Sequence, residues 1–566
     1  MTLAPEATAH APAGGLDADT LKMMFEALGD FVAEHLPEAR MLELDHDDVC
    51  PEDTVRAMSS DALGVQLVFI PEAYGGLDGG AFDSYRVCER MARYDVGLAT
   101  AAFATFLGSD PVLMGGTEEQ KKEWLGRIAE EGILFAYGAT EPDAGSDLGA
   151  MTTTATPVEE DGVVTGYRIT GRKQWISNGN IADAYTILAL APGGPTWFVL
   201  EKGADGFSSG TREDKHGLRL SNTAALFLDD VYVPVENLVG GVEGRGLIQA
   251  QQVFGYTRVM VAAFGLGGGV EAIERAIRYS TMRVQGGSPL SQKQGYTHKL
   301  ILPNVVRLEA ARAAVEEVAL RLDAGEGENG ALNTEGAVAK YLASEAGIDA
   351  ADAAIQAHGG YGYTREYIVE KIRRDVRITT IYEGTSEILE MTIARDRWQQ
   401  NLKTQGGYYR EKAAESRALH ATNPGVGADV VALALDSLAA VFEACRASRL
   451  TRNQHILLRL GELVAEAEGA AALTRRAAAA MEGRLPEKAE KTYDAAALTL
   501  ISRVAARNAA AKVAEQGLRW VSGAAEPGAS GALAAALPME AVRAAQSGLL
   551  ADLDALAAAV YSRFAD

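Results

Sequence analysis

The chain of 566 residues has only three cysteines and eight histidines, and its lysines and arginines are outnumbered by acids. Cys50, Cys88 and Cys445 are odd in number and widely spaced. They form neither a disulfide framework nor a metal pattern, and they point to a reducing compartment. No His-x-x-x-His pair occurs, which excludes the usual helical zinc motif, and no metal is expected. With 53 basic and 77 acidic residues the net charge is −24. That balance argues against a nucleic-acid partner or an anionic membrane surface, although a few local arginines or helix N-termini can still hold a phosphate. No apolar run is expected to span a bilayer. The first fifteen residues lack the basic start and apolar core of a signal peptide, so the cytoplasm is the expected location. What is abundant is hydrophobic side chain, 48% of the residues, enough for several domains with large cores.

The periodicity divides the chain into an α+β multidomain arrangement. Residues 1–15 read as a disordered tail. Residues 16–133 carry helical spacing, with Leu21, Met24, Phe25, Leu28, Phe31 and Val32 on one face. The loop Pro71-Glu72-Ala73-Tyr74-Gly75-Gly76 interrupts that spacing, and a helix beginning at Thr117 turns Trp124, Leu125 and Ile128 inward. Residues 134–245 change to short alternating runs rich in Thr, Val and Tyr, separated by Gly, Pro or Asp/Asn turns, which predicts an antiparallel β domain. Residues 246–403 return to helical spacing in four long segments, the last broken near Glu383, and predict a four-helix bundle. Residues 404–425 are polar and read as a linker. Residues 426–566 read as a separate Ala-rich helical extension without a cluster of catalytic residue types. Gly523–Gly531 would divide its last two helices. The polar faces of these helices are mixed or acidic, so membrane contact is not expected.

Three stretches could carry chemistry. The first is Phe135-Ala136-Tyr137-Gly138-Ala139-Thr140-Glu141-Pro142-Asp143-Ala144-Gly145-Ser146-Asp147, a strand running into a loop of small residues that can bring backbone N–H groups to a ligand. The second, Gly171–Gly179, sets the indole of Trp175 two residues from the hydroxyl of Ser177, before an Asn-Gly turn; a planar heteroaromatic ligand would suit it, and so would an ordinary hairpin. The third is Ile381-Tyr382-Glu383-Gly384-Thr385-Ser386-Glu387-Ile388, where Gly384 permits a break between helices and Thr385 can cap the next one. On these eight residues alone, Glu383 is most simply a charge favouring a helix N-terminus. Gly265-Leu266-Gly267-Gly268-Gly269-Val270 lies inside a helical pattern and reads as close helix packing, not as a dinucleotide fingerprint.

In this order and spacing, with the loop Pro71–Gly76, Tyr256-Thr257-Arg258, Gln356-Ala357-His358-Gly359-Gly360-Tyr361-Gly362, Arg374-Asp375 and Ile393-Ala394-Arg395-Asp396, the three stretches resemble the acyl-CoA dehydrogenase family over about residues 20–400. The C-terminal region, with Asn453–Leu460, resembles the helical extension of the family's very-long-chain branch. The resemblance implies a flavoenzyme that holds FAD between the β domain and the bundle and forms a 2-enoyl-CoA from an acyl-CoA. Glu383 would remove the α-proton while hydride leaves the β-carbon for flavin N5. Tyr137, Ala139 and Thr140 would line the flavin. Trp175 would pack on it, and Ser177 would donate near N5. Thr385 and Glu387 would lie by the pyrophosphate or ribose, and Gln356, Gly359 and Gly360 by the adenine half. Arg283 and Gln294 would reach the cofactor from a neighbouring subunit of a homodimer. Ser146 and Arg258 would face the CoA arm, and an electron-transfer flavoprotein would take the electrons.

The family's usual Arg-x-x-Phe-Gly is here Arg283-Val284-Gln285-Gly286-Gly287, which puts the adenine-side aromatic contact in question. Some members carry the base near the start of the long helix, but Tyr256 and Thr257 are not acids, which favours Glu383. The alternatives are an acyl-CoA oxidase using O2, a flavin monooxygenase of the same fold, or a non-catalytic FAD-holding or nucleic-acid-binding scaffold. Glu383 speaks against the monooxygenase, whose relatives tend to lack that base; an intact Glu383 and Trp175-Ile176-Ser177 speak against a decayed scaffold, and the acidic charge against nucleic-acid binding.

Overall fold

A computed structural model describes residues 15–564 except 61, 328 and 329, and nothing is said of the side chains of 252–254 and 527. The expected tail lies outside the described residues apart from Gly15.

Six helices open the chain: α1 (Ala18–His35), α2 (Glu38–Asp47), α3 (Glu52–Met58), α4 (Ala81–Tyr94), α5 (Val96–Gly115) and α6 (Glu118–Glu131). Their starts follow from local chemistry. The Asp17 side chain caps α1 at the Thr20 N–H, Asp95 caps α5 at the Leu98 N–H, and Thr117 and Gln120 form a reciprocal capping box on α6. Trp124, Leu125 and Ile128 are buried as expected. One expectation needs correcting. Helix α5 is long and apolar enough, by length and composition, to cross a membrane. Here its side chains are buried inside the protein, against β1, α4 and α7.

The middle of the chain is a sheet of seven strands: β1 (Phe135–Gly138), β2 (Thr154–Glu160), β3 (Val163–Ser177), β4 (Ala184–Ala191), β5 (Gly194–Glu201), β6 (Phe207–Arg212) and β7 (Thr223–Pro234). The order is β1-β4-β2-β3-β7-β6, with β5 also paired to β4. Pairing is antiparallel except where β4 runs parallel to β1 and β2. The sheet is fastened to α5 where the Asn178 side chain donates to the Ala101 carbonyl at 2.9 Å and Thr186 donates to that of Gly108 at 2.8 Å.

Helix α7 (Gly246–Met282) is the spine of the bundle. After it come the hairpin β8 (Val284–Gln285) and β9 (Ser288–Pro289), the short turn α8 (Gln294–Tyr296), α9 (Leu302–Asp323), α10 (Asn333–His358), α11 (Ile368–Val376) and α12 (Ser386–Lys403). The glycines of α7 allow the close packing expected of them. A Cβ on Gly265 would stand 2.8 Å from the Ala343 carbonyl oxygen of α10, and one on Gly267 2.5 Å from the Glu89 carbonyl oxygen of α4. A buried triad locks the bundle to the rest: Lys371 pairs with Asp95 and, at 2.6 Å, with Asp375, whose other oxygen accepts from the Leu218 N–H at 2.7 Å.

The extension departs from expectation twice. Residues 404–425 are not a linker: helix α13 (Tyr408–Thr422) runs there, with Tyr409, Ala413 and Ser416 buried on one face. The helices that follow are α14 (Ala428–Ala447), α15 (Gln454–Met481), α16 (Ala495–Ala524), α17 (Pro527–Ala536), α18 (Met539–Ala545) and α19 (Leu549–Ser562). The Pro/Gly/Ser-rich stretch after Gly523 is largely helical, with Pro527 at the first turn of α17, where a missing N–H costs nothing. Nor is the extension a separate piece. Leu389 and Ile393 of α12 share a core with Leu457, Leu460 and Val464 of α15. Gly461 of α15 lies so close to α12 that a Cβ would stand 2.1 Å from the Glu390 carbonyl oxygen. A buried ion-pair network crosses the seam. Arg312 pairs with Glu89 and Glu309, Arg476 with Glu309 and Glu316, and Arg86 with Glu490.

Candidate active site

The break expected around Glu383 is present. Helix α11 passes into a short tight turn at Arg377–Thr380, and α12 begins at Ser386 with Thr385 as its cap, the Oγ1 accepting from the Ile388 N–H at 3.3 Å. Between them Glu383 and Gly384 take φ of 53° and 93°. Two successive left-handed residues turn the chain sharply, and glycine meets that demand at the second. A non-glycine residue in this region is strained and persists only where its surroundings hold it. Lys340 of α10, fully buried, supplies part of that hold: its Nζ donates to the Gly384 carbonyl at 2.7 Å.

The Glu383 carboxyl lies against the N-terminal third of α7, its Oε2 3.5 Å from the Thr257 hydroxyl. Burial pushes the carboxyl upward, while the charges of Arg258 and Lys340 and the Thr257 hydroxyl pull it back. Burial likewise drives the Lys340 ammonium down to about 7 against the opposing pull of Glu383. Arg258, expected at the CoA arm, is buried and senses the Glu383 charge, with Nη1 donating to the Asn333 carbonyl at 3.1 Å. Tyr137 at β1 and Tyr382 also sense the Glu383 charge.

The expected flavin-side residues lie on β1, on the loop after it and on the end of β3, which meet where the Gln174 N–H donates to the Thr140 carbonyl. The ring of Tyr137 lies 4.8 Å from that of Trp197. Ala139 is buried, and its carbonyl accepts from Lys173 at 3.2 Å; the Thr140 carbonyl accepts from the Gln174 N–H at 2.9 Å. The loop that begins there is tied down by a pair the sequence reading missed. Glu141 accepts from the Thr152 and Thr153 N–H groups and pairs with buried Lys173 at 2.8 Å, which holds its carboxyl down to about 2 although burial opposes it. Two residues on, β3 bulges, and Trp175 takes φ of 62° with its indole 61% exposed. A large indole held outward by strained backbone provides a ready platform for a planar ring. Ser177 ends the strand opposite Thr223. Ser146 and Glu387 are exposed.

The remaining predicted residues lie elsewhere. Gln356, Gly359 and Gly360 are exposed at the end of α10, and a Cβ on either glycine would meet open space. The Arg283 guanidinium lies 5.8 Å over the neighbouring Tyr361 ring. Along α7 this corner is about 40 Å from Thr257, at 1.5 Å per residue. Gln294, expected on the cofactor, is exposed, and its amide donates to Asp554 of α19 at 2.7 Å. Gly286 and Gly287 form the two-residue turn of the β8–β9 hairpin with φ of 55° and 84°. That turn demands positive φ at both positions, which accounts for glycine where the family has phenylalanine.

Two further residues near the base went unnoticed in the sequence: Lys340 and Asp110, the latter the one charged residue of α5. A lone acid in an apolar helix next to Pro111 was the available signal.

Comparison with known proteins bears on the fold and the family. Three family models match in succession: acyl-CoA dehydrogenase N-terminal domain at residues 18–132, middle domain at 136–231 and C-terminal domain at 244–397. A short-chain-specific acyl-CoA dehydrogenase of Megasphaera elsdenii is 38% identical over 355 residues, covering 61% of this chain and 90% of that protein. An acyl-CoA dehydrogenase of Bacillus subtilis is 35% identical over 382 residues, 66% of this chain and 96% of its own. Among solved structures, butyryl-CoA dehydrogenase from Megasphaera elsdenii superimposes with a TM-score of 0.63 at 34% identity, over 67% of this chain and 98% of that one. The Bacillus anthracis acyl-CoA dehydrogenase solved with FAD reaches 0.82 over 97% of this chain and 95% of its own, at 24% identity, so the extension too has a counterpart in fold.

Proposed function

Since the chain belongs to the acyl-CoA dehydrogenase family, and is thereby an FAD-dependent oxidoreductase acting on acyl-CoA thioesters, we propose that it forms the 2-enoyl-CoA with Glu383 as the base that takes the α-proton. One observation carries the reading: a half-buried carboxylate in strained left-handed backbone, 3.5 Å from Thr257 and flanked by two buried cations. The outward Trp175 and the open glycines at 359 and 360 fit the flavin and nucleotide parts of FAD. When bound, FAD supplies the acceptor for the hydride that leaves the β-carbon.

The chain's own residues supply position and field. An α-proton beside a thioester is weakly acidic, so the base must be desolvated and the developing enolate oxygen must meet donors. Burial of Glu383 favours proton uptake and raises its pKa, while Arg258 and Lys340 oppose that shift and favour the charged form. Among the described residues none accepts from the Glu383 backbone N–H, which leaves that donor for the thioester carbonyl. Arg283 and its glycine-rich corner lie too far along α7 to serve the flavin beside Glu383, which supports a homodimer in which each subunit lends this corner to its neighbour. Electrons then pass to an electron-transfer flavoprotein.

The test is the visible spectrum of the purified protein, followed without oxygen while acyl-CoAs are added singly. A saturated thioester should bleach the flavin band of the wild type, and Glu383→Gln should keep the yellow colour without bleaching. A colourless protein after added FAD, or equal bleaching of the variant, would overturn the proposal.

A further inference from the structure

Helices α5 and α7 pack antiparallel, and two contacts set their register. The rings of Phe103 and Phe264 meet edge to face at 5.4 Å, and a Cβ on Gly115 would collide with the Gln249 side chain. Between these anchors Asp110, seven residues or two turns beyond Phe103, falls opposite the 255–257 stretch of α7, the segment that meets Glu383 at Thr257. The same turn of α5 touches the sheet: a Cβ on Gly108 would stand 2.8 Å from the Ala136 nitrogen, just before Tyr137. Asp110 thus sits where α5, α7, β1 and the Glu383 loop converge. It is 2% exposed, and its Oδ2 is buried without a hydrogen-bond partner among the described residues.

We propose that Asp110 determines specificity, selecting acyl-CoA thioesters whose chain bears a hydroxyl or carbonyl oxygen within a few bonds of the carbons that lose hydrogen. The inference rests on the dehydrogenation proposed above and names its substrate class. A buried polar atom is stable when it is hydrogen-bonded, and since the described residues supply no partner, a ligand oxygen is the partner that this site fits. Burial and the nearby Glu383 charge push the Asp110 carboxyl well above its ordinary range, which favours the protonated form, the one that can donate to an oxygen. A neutral acid also leaves Glu383 as the single anion among Arg258, Lys340, Tyr137 and Tyr256. A hydrocarbon chain of equal length leaves the Asp110 donor unpaired, and the resulting discrimination is roughly ten- to hundredfold in kcat/KM.

The experiment compares wild type, Asp110→Asn and Asp110→Leu on acyl-CoA pairs matched in length, one chain plain and one carrying a hydroxyl or keto oxygen, with an amine-bearing chain as a third probe. Anaerobic flavin bleaching and kcat/KM are read together. Support is an oxygen-bearing preference of that size in the wild type, kept in Asp110→Asn and reversed in Asp110→Leu with FAD retained. The wild type and the asparagine variant decide the matter even if the leucine variant does not fold. Plain chains that bleach as well as oxygenated ones, with the same ranking in the variants, overturn this inference and leave the dehydrogenation standing. Preference for the amine overturns it too, since it requires an ionised Asp110. If no thioester bleaches the flavin, the dehydrogenation reading falls and this inference with it.

Discussion

The ammonium of Lys340 lies 2.7 Å from the carbonyl oxygen of Gly384, the residue that follows Glu383. The bond joins the centre of α10 to the strained break between α11 and α12, so the bundle core restrains the orientation of the base. It also sets a positive charge near the carboxylate.

Replacing Lys340 by Met removes both. Loss of the cation favours the neutral carboxyl, so the apparent pKa of Glu383 rises and the acidic limb of the kcat/KM profile moves to higher pH. Lys340 itself is held down to about 7, so the gap between variant and wild type is widest below that value. A profile that falls in height without moving would mean that Lys340 is merely structural.

The same lysine has a signature in stability. Its folded pKa is lowered, so between about 7 and its ordinary value the unfolded chain binds a proton that the folded chain does not. Stability therefore rises with pH across that window. Denaturant midpoints of wild type and Lys340→Met, measured from pH 6.5 to 9.5, should converge on lysine's disadvantage at the acid end and separate in its favour at the alkaline end.

Lys173→Met leaves the Glu141 carboxylate buried with its N–H partners and no cation. Removing one member of a buried pair costs about 3–5 kcal/mol. Because this pair ties the loop leading to Ser146 to the strand bearing Trp175, FAD affinity should fall with stability. Adding Glu141→Leu to the first change should cost less than the two single losses together, read from denaturant curves and flavin fluorescence.

Gly286→Phe restores the side chain usual in the family but sets it at φ of 55° in a two-residue turn. The left-handed conformation costs a non-glycine residue about 1–2 kcal/mol. The variant should melt lower and bind FAD no more tightly than wild type.

Gly461→Ala puts a methyl group 2.1 Å from the Glu390 carbonyl oxygen, so α15 and α12 must separate. Overpacking of this kind costs about 1–3 kcal/mol. Since α12 starts at the Glu383 break, kcat should fall as well, which a stability defect confined to the extension would not produce.

Residues whose role is local were legible in the sequence. Gly384 and Thr385 announce a break and a cap by their chemistry, and the Gly265–Gly269 run announces close packing once its helical setting is seen. Strand β6 escaped because Phe207–Arg212 is an edge strand rich in Ser and Gly, with little alternation to detect. Helix α13 escaped because its buried stripe is only Tyr409, Ala413 and Ser416 in a polar stretch. The parallel β1–β4 pair, the Glu141–Lys173 bridge and the position of Asp110 opposite Thr257 are relations between distant segments. No local pattern encodes them; they exist only once α5, β1 and α7 have packed.

The length of α7 has a consequence for mixed assemblies. One continuous helix carries Thr257 near its start and leads to Arg283 at its end, so in the proposed homodimer each subunit's base would work with the other subunit's arginine. Co-assembling Glu383→Gln with Arg283→Ala would then place both defects in one site and leave the other intact. Two chains impaired alone would together recover about half of the wild-type activity per mixed dimer.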